Sequence, residues 1–273
     1  MAGQRGHHRR AKELVAAVTA DASLDRDLTA LAAMAQAVLA DLRNTASAIR
    51  ALVGPVGADL YGAHLAGADL ADADLACADL ARSNLADANL ARADLTRAIL
   101  VGTNLQGADL TRAGLARANL VVAILVGANL AGANLVGANL YDANLTNADL
   151  HDSFLTRANL TGADLHDAVL TRADLRGANM ADVDLHDAVL TRADLDGANL
   201  AGANLAGADL TRADLHAAVL TRADLAGANL VQVLWSSGTL WPADKASLIR
   251  DRSEELRPGV WRVVGSGKAE DLT

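Results

Sequence analysis

Two histidines and five aspartates crowd one short stretch of this chain. His166 and His186 stand 20 residues apart, with Asp164, Asp167, Asp182, Asp184 and Asp187 around them. Imidazole nitrogens and carboxylate oxygens are ligands of zinc and manganese. A metal held that way activates water for hydrolysis, and paired carboxylates can act as general acid and base. The setting argues otherwise. The unit HDAVLTRADL runs from His166 to Leu175 and recurs unchanged from His186 to Leu195, and further His residues open units at 151 and 216. Where Asp follows a repeat, a pair of carboxylates carries no catalytic information. The sequence has no activated Ser or Cys motif, no phosphate loop and no CxxC. No catalytic residue, no metal and no cofactor are therefore expected, and a metal-dependent enzyme at His166 and His186 ranks last. The five aspartates are expected instead to form an acidic docking side for a basic protein partner.

The elements that position them follow from one rule. Leu occupies 34 of the 35 positions taken every five residues from Leu60 to Leu230, and Met180 is the exception. Two residues before each stands Ala, replaced only by Ser83, Thr103, Ser153 and Val183. Asp or Asn dominates between them. Steps of five scatter side chains around an α-helix, and on a flat strand they flip every second Leu outward. A three-residue extended piece followed by a two-residue corner keeps every Leu and Ala on one inner axis. The sequence therefore predicts an all-β solenoid. Gly, Asp, Asn, Thr and Arg at the corners agree.

Sorting by 20 gives the coil. One outward column then reads Asn119, Asn139, Asn159, Asn179, Asn199, and another Asp74, Asp94, Gly114, Asn134, Phe154, Asp174, Asp194, Asp214. Four pentapeptides per coil predict a square cross-section and about nine coils, a rod roughly 42 Å long at about 4.8 Å per coil. Arg92, Arg112, Arg172, Arg192 and Arg212 form a corner column. Four of them stand two residues before Asp94, Asp174, Asp194 and Asp214, which predicts a self-neutralised Arg–Asp ladder.

Units such as Ala68-Asp69-Leu70 and Ala128-Asn129-Leu130 resemble the pentapeptide-repeat family, whose pattern is A(D/N)LXX. The resemblance covers residues 56–230. It implies a right-handed quadrilateral β-helix. Many members place Phe at central positions; here the centre is Leu or Met180, and the single Phe154 is expected to point outward. Some members, the quinolone-resistance type, mimic DNA and bind DNA gyrase. That implies a DNA-mimicking modulator of gyrase as the most concrete function. The coil-interrupting loops of that type have no counterpart here.

The ends differ from the rod, and helical capping segments are expected at both. Residues 1–22 read as a flexible segment. Residues 23–55 carry apolar positions at alternating steps of four and three, among them Leu28, Leu31, Val38 and Leu42. This predicts a long helix, as a cap over the first coil or as a coiled-coil dimer. Residues 231–273 hold all three Trp, at 235, 241 and 261. A helix from Pro242 to about Leu256 and a strand over Val260–Val264 are expected there, as a cap over the last coil or, through Trp235 and Trp241, as a homodimer contact.

Charge is uneven. Residues 56–230 hold 22 Asp, no Glu and 11 Arg, within a chain of net charge −9. B-DNA carries one charge per about 1.7 Å, about 25 over a rod this long, so the rod has under half that density. No direct nucleic-acid binding is expected. No run of 18 apolar residues exists, so no membrane helix is expected. With one cysteine, Cys77, and no signal-peptide pattern, the expected address is cytoplasmic. Three functions follow in order: a non-enzymatic protein-binding scaffold, a self-associating structural module, and the metal-dependent enzyme.

Overall fold

Each pentapeptide folds the same way. In the unit Ala118–Val122, Asn119 bridges in parallel to Ile99 in the coil below and Asn139 in the coil above. The Asn119 N–H donates to the Ala98 carbonyl at 2.9 Å, and the Leu120 N–H to the Asn139 carbonyl at 2.7 Å. At the corner the Val122 N–H donates to the Tyr141 carbonyl at 3.0 Å, and the Ala123 N–H closes the turn onto Leu120 at 3.0 Å. Bridges join residues 20 apart from Asp59–Asp79 to Asp209–Asn229. Four pentapeptides thus make one coil. The computed structural model describes residues 57–264. The expectations for 1–22 and 23–55, with Leu28, Leu31, Val38 and Leu42, lie outside the described residues.

One N–H per unit remains, on the first corner residue, and in most units whose outward residue is Asp or Asn that side chain takes it. Thr96 N–H donates to Asp94 Oδ1 at 2.9 Å, Ala81 to Asp79 at 3.0 Å and Tyr141 to Asn139 at 3.3 Å. Asp and Asn carry an acceptor at that reach. The Asp-rich composition is thus backbone satisfaction first and charge second. The second corner residue lies at positive φ at every corner from Gly62 to Gln232, 22 of them not glycine.

Inside, the Leu and Ala columns are shut off from solvent from Leu70 to Leu230. Burying one Leu stabilises by about 1.5–3 kcal/mol, so these columns drive folding. The polar replacements fit because their hydroxyls find carbonyls. Ser83 and Thr103 both donate to Leu80 O at 2.7 Å, and Ser153 to Leu150 O at 2.6 Å. Met180 and Val183 share one turn, whose closing bond is stretched to 3.4 Å.

The four sides are named by their outward residues. Side A carries Ile99 and the Asn119–Asn199 column, side B Ile124, Asp164 and Asp184, side C Asp149, Val169 and Val189, and side D Asp94, Phe154, Asp174 and Asp194. Hydrogen bonds climb the Asn column, with Asn159 Nδ2 donating to Asn139 Oδ1 at 3.0 Å and Asn199 to Asn179 at 2.9 Å. Phe154 points outward, half exposed.

The C-terminal segment joins the last coil. β1 (Asp214–Leu215) pairs in parallel with β2 (Leu234–Ser236). After α1 (Ala246–Asp251), β3 (Ser253–Arg257) and β4 (Val260–Val263) form an antiparallel hairpin, and β4 pairs with β2. The helix expected as far as Leu256 therefore stops at Asp251. Its second half is claimed by β4, and Pro258-Gly259 is a hairpin turn rather than a helix stop, with Gly259 at φ 79°. Trp235 stacks on Trp261 with centroids 4.6 Å apart and meets Trp241 edge-on at 6.0 Å. The Arg250 guanidinium covers Trp261 at 3.9 Å, a cation–π contact.

Candidate functional site

The repeat brings the five aspartates together. Asp164 and Asp184 project from side B in successive coils and bridge one another's backbone. Asp167 and Asp187 are the second corner residues of edge B–C, and Asp182 is that of edge A–B, so all five frame one side. The carboxylates of Asp164, Asp184 and Asp187 are engaged locally. Asp164 Oδ1 accepts from the His166 N–H at 3.1 Å and faces His166 Nδ1 at 2.7 Å. Asp184 Oδ1 accepts from the His186 N–H at 3.0 Å and from Asn204 Nδ2 at 2.9 Å.

The two imidazoles serve different partners. His166 sits on Asp164, with Thr146 Oγ1 3.3 Å from the same ring nitrogen. His186 Nδ1 lies 2.9 Å from the Ala206 carbonyl and its Nε2 3.3 Å from Asp187. Among the described residues no group of three or more His, Cys, Asp or Glu converges as a metal site. The hydrogen bond to Asp164 raises the His166 pKa. Burial pushes Asp164 up, but the backbone and ring hydrogen bonds from His166 outweigh it and hold the carboxyl below its usual value.

The Arg–Asp ladder exists in part, in a different register. Arg92 pairs with Asp72 and Arg172 with Asp152, each with the corner residue one coil below. Arg176 bridges Asp174 at 2.6 Å and Asp194 at 3.6 Å. Burial, with Asp214 and Asp174 nearby, raises the Asp194 pKa. Trp235 and Trp241 are 5 % and 7 % exposed, their rings turned into their own chain.

One apolar surface was only partly legible: Ile99 and Ile124 break the Asp/Asn rule at outward positions, but the edge between them was not picked out by sequence reasoning. Edge A–B carries Val101, Val121, Val122 and Tyr141, flanked by Ile99 on side A and Ile124 on side B. The available signal was charge, since no Asp, Glu, Lys, Arg or His occurs from 118 to 141. No described helix is long and apolar enough to cross a membrane.

The profile of pentapeptide repeats matches in eight copies over residues 56–90, 88–121, 123–162, 163–200 and 198–234. Among solved structures, HetL from the cyanobacterium Nostoc sp. strain PCC 7120, a pentapeptide repeat protein involved in heterocyst differentiation regulation, is 37 % identical. That match covers 67 % of this chain and 87 % of HetL, with a TM-score of 0.53. Rfr23 from the cyanobacterium Cyanothece 51142 is 36 % identical over 36 % of this chain and 63 % of its own, with a TM-score of 0.24. QnrB1, a plasmid-mediated fluoroquinolone resistance protein, is 18 % identical over 71 % and 90 %, with a TM-score of 0.40. No curated protein matches the chain by sequence.

Proposed function

The chain belongs to the pentapeptide-repeat family and has its right-handed quadrilateral β-helix, and on that premise we propose that it is a non-enzymatic cytoplasmic scaffold that binds a protein partner on side B. The observation that carries this reading is the distribution of charge. Residues 142–230 hold 14 Asp and 6 Arg, residues 56–117 hold 8 Asp and 5 Arg, and the coil between them holds none. The acid is concentrated in the upper rod, and five of its carboxylates frame one side. A basic protein surface fits that side. A nucleic acid, itself a polyanion, does not.

The most concrete partner is DNA gyrase, with the rod in the place of DNA. The interrupted charge supports a contact over the upper coils rather than mimicry along the whole rod. A supercoiling assay with purified gyrase tests this form. Inhibition or protection at micromolar protein supports it, and no effect and no binding sinks it. The self-associating module is the second reading. With Trp235 and Trp241 turned inward, it rests on Leu28, Leu31, Val38 and Leu42, and light scattering on the full chain decides it. The pairing of β4 with β2 supports a capping role for the C-terminal hairpin.

A further inference from the structure

The chain leaves its coil over the top of side B. One coil below, the ladder is complete. The Asp224 N–H donates to the Ala203 carbonyl at 2.9 Å, and the Leu205 N–H to the Asp224 carbonyl at 2.8 Å. At the corner the Gly202 N–H donates to the Thr221 carbonyl at 2.9 Å. One coil up, the same three groups are the Ala223 carbonyl and the N–H groups of Leu225 and Arg222. Among the described residues nothing takes them. The cause lies in the next segment. Leu240 still bridges Val219 on side A. The Pro242 carbonyl then accepts the N–H groups of Lys245 and Ala246, both at 3.0 Å. The chain enters α1 at Ala246 in place of a strand over Ala223–Leu225.

A cleft of about 500 Å³ lies beside that edge, between Thr221–Asp224 and Trp241–Asp244, a size usual for ligand sites. Trp241 on its wall is 7 % exposed, and its Nε1–H is buried without an acceptor. A buried donor left unpaired is costly, and a carbonyl brought into the cleft is the kind of group it lacks. The Arg222 side chain runs down the edge instead, with Nη2 3.9 Å from where Gly202 would carry a Cβ. An open strand edge recruits another strand. The strand that fits follows the rule of the coil. Its inward residues lie over Ala223 and Leu225, so they are small and Leu-like. Its outward residue lies over Asp224, about 4.8 Å away. Asp244 lines the same cleft, only loosely held by Lys245 at 3.9 Å. Two carboxylates select a basic residue at that place.

We propose that the open edge Arg222–Leu225 accepts an extended segment of a protein partner, small, basic and aliphatic in turn, as an added parallel strand. The segment's carbonyls accept from the N–H groups of Arg222 and Leu225, and its outward residue's N–H donates to the Ala223 carbonyl. The site is the end of the rod rather than its flank. It needs none of the carboxylates at 164–187, so it stands apart from the acidic docking side.

A synthetic peptide tests it on the full chain. The probe is labelled Gly-Thr-Asn-Ala-Lys-Leu-Thr-Gly with blocked ends, one further pentapeptide with Lys in the outward place. Binding is read by fluorescence anisotropy, and its position by amide hydrogen exchange. The expected result is saturation below millimolar peptide, with exchange at Arg222 and Leu225 slowed at least tenfold. Methylating the backbone nitrogen of the peptide's Lys, or replacing that Lys by Asp, should weaken binding at least tenfold. Asp224→Asn should weaken it too, while Asn at 164, 167, 182, 184 and 187 should leave it within twofold. No saturation by millimolar peptide, indifference to the methyl group, or Arg222 and Leu225 amides already protected in the free chain would overturn the inference. Protection that grows with protein concentration would assign the edge to a second copy and overturn it as well. Each result leaves partner binding on side B to its own assay.

Discussion

Arg92 grips Asp72, its counterpart one coil below, with Nε 2.7 Å from Oδ1 and Nη2 2.5 Å from Oδ2. The nearer carboxylate in sequence, Asp94, already accepts the Thr96 N–H. Corner side chains stack coil on coil, so their natural partners lie 20 residues away. Both members of the pair are more than half exposed, where ion pairs contribute little. Asp72→Ala should lower the urea midpoint slightly, and 1 M salt should erase the difference. A large loss that persists in salt would contradict this.

Met180 and Val183 are a matched pair. Val is larger than the usual Ala, and Met is a pliant replacement for the usual Leu. Met180→Leu alone should overpack the turn, and Val183→Ala alone should leave a void, each costing about 1 kcal/mol. The double variant restores the consensus turn. It should be at least as stable as the parent in urea unfolding, a coupling that additivity forbids. Additive losses would contradict the pairing.

His166 should titrate above 6.5. A raised folded-state pKa stabilises the fold below the unfolded value, and the contribution is lost as pH rises through the raised value. Asp164 runs the other way. Its contribution is present above 3.8 and is lost as pH falls through the depressed value. This coil should therefore lose stability as pH rises from 6.5 through the raised His166 value, and again as it falls from 3.8 through the depressed Asp164 value. NMR titration reads His166 directly, and Asp164→Asn should return it toward 6.5. A parent value at or below 6.5 would contradict the account.

Val122 sits at φ 50°, a conformation that costs an L-residue roughly 1–2 kcal/mol and is unusual for a branched one. Val122→Gly should raise stability by about 1 kcal/mol while removing an exposed apolar side chain from edge A–B. A lower unfolding midpoint would show that Val122 is held for packing instead.

The coil was legible because Leu60 to Leu230 obey one spacing and the Asn119–Asn199 column repeats at 20. The end of α1 was not, because Ser253–Arg257 is held as a strand by a partner, β4, that local pattern does not reveal. Edge A–B was missed for a related reason. Ile99 stands at the outward position of its pentapeptide and Val121 and Tyr141 at the first corner position, so no single 20-residue column collects them. Asp164–Asp187 could be grouped because successive coils place them in neighbouring, near-identical units.

The central claim in its most concrete form is that DNA gyrase is bound through side B, and a binding titration against purified gyrase tests it most directly. The parent chain is compared with a variant carrying Asn at 164, 167, 182, 184 and 187. Asn already serves at Asn144, Asn147 and Asn204, so the coils should keep their fold. The account predicts micromolar binding that salt weakens and the variant loses by at least tenfold. Equal binding by the two proteins, or none by the parent, would contradict it.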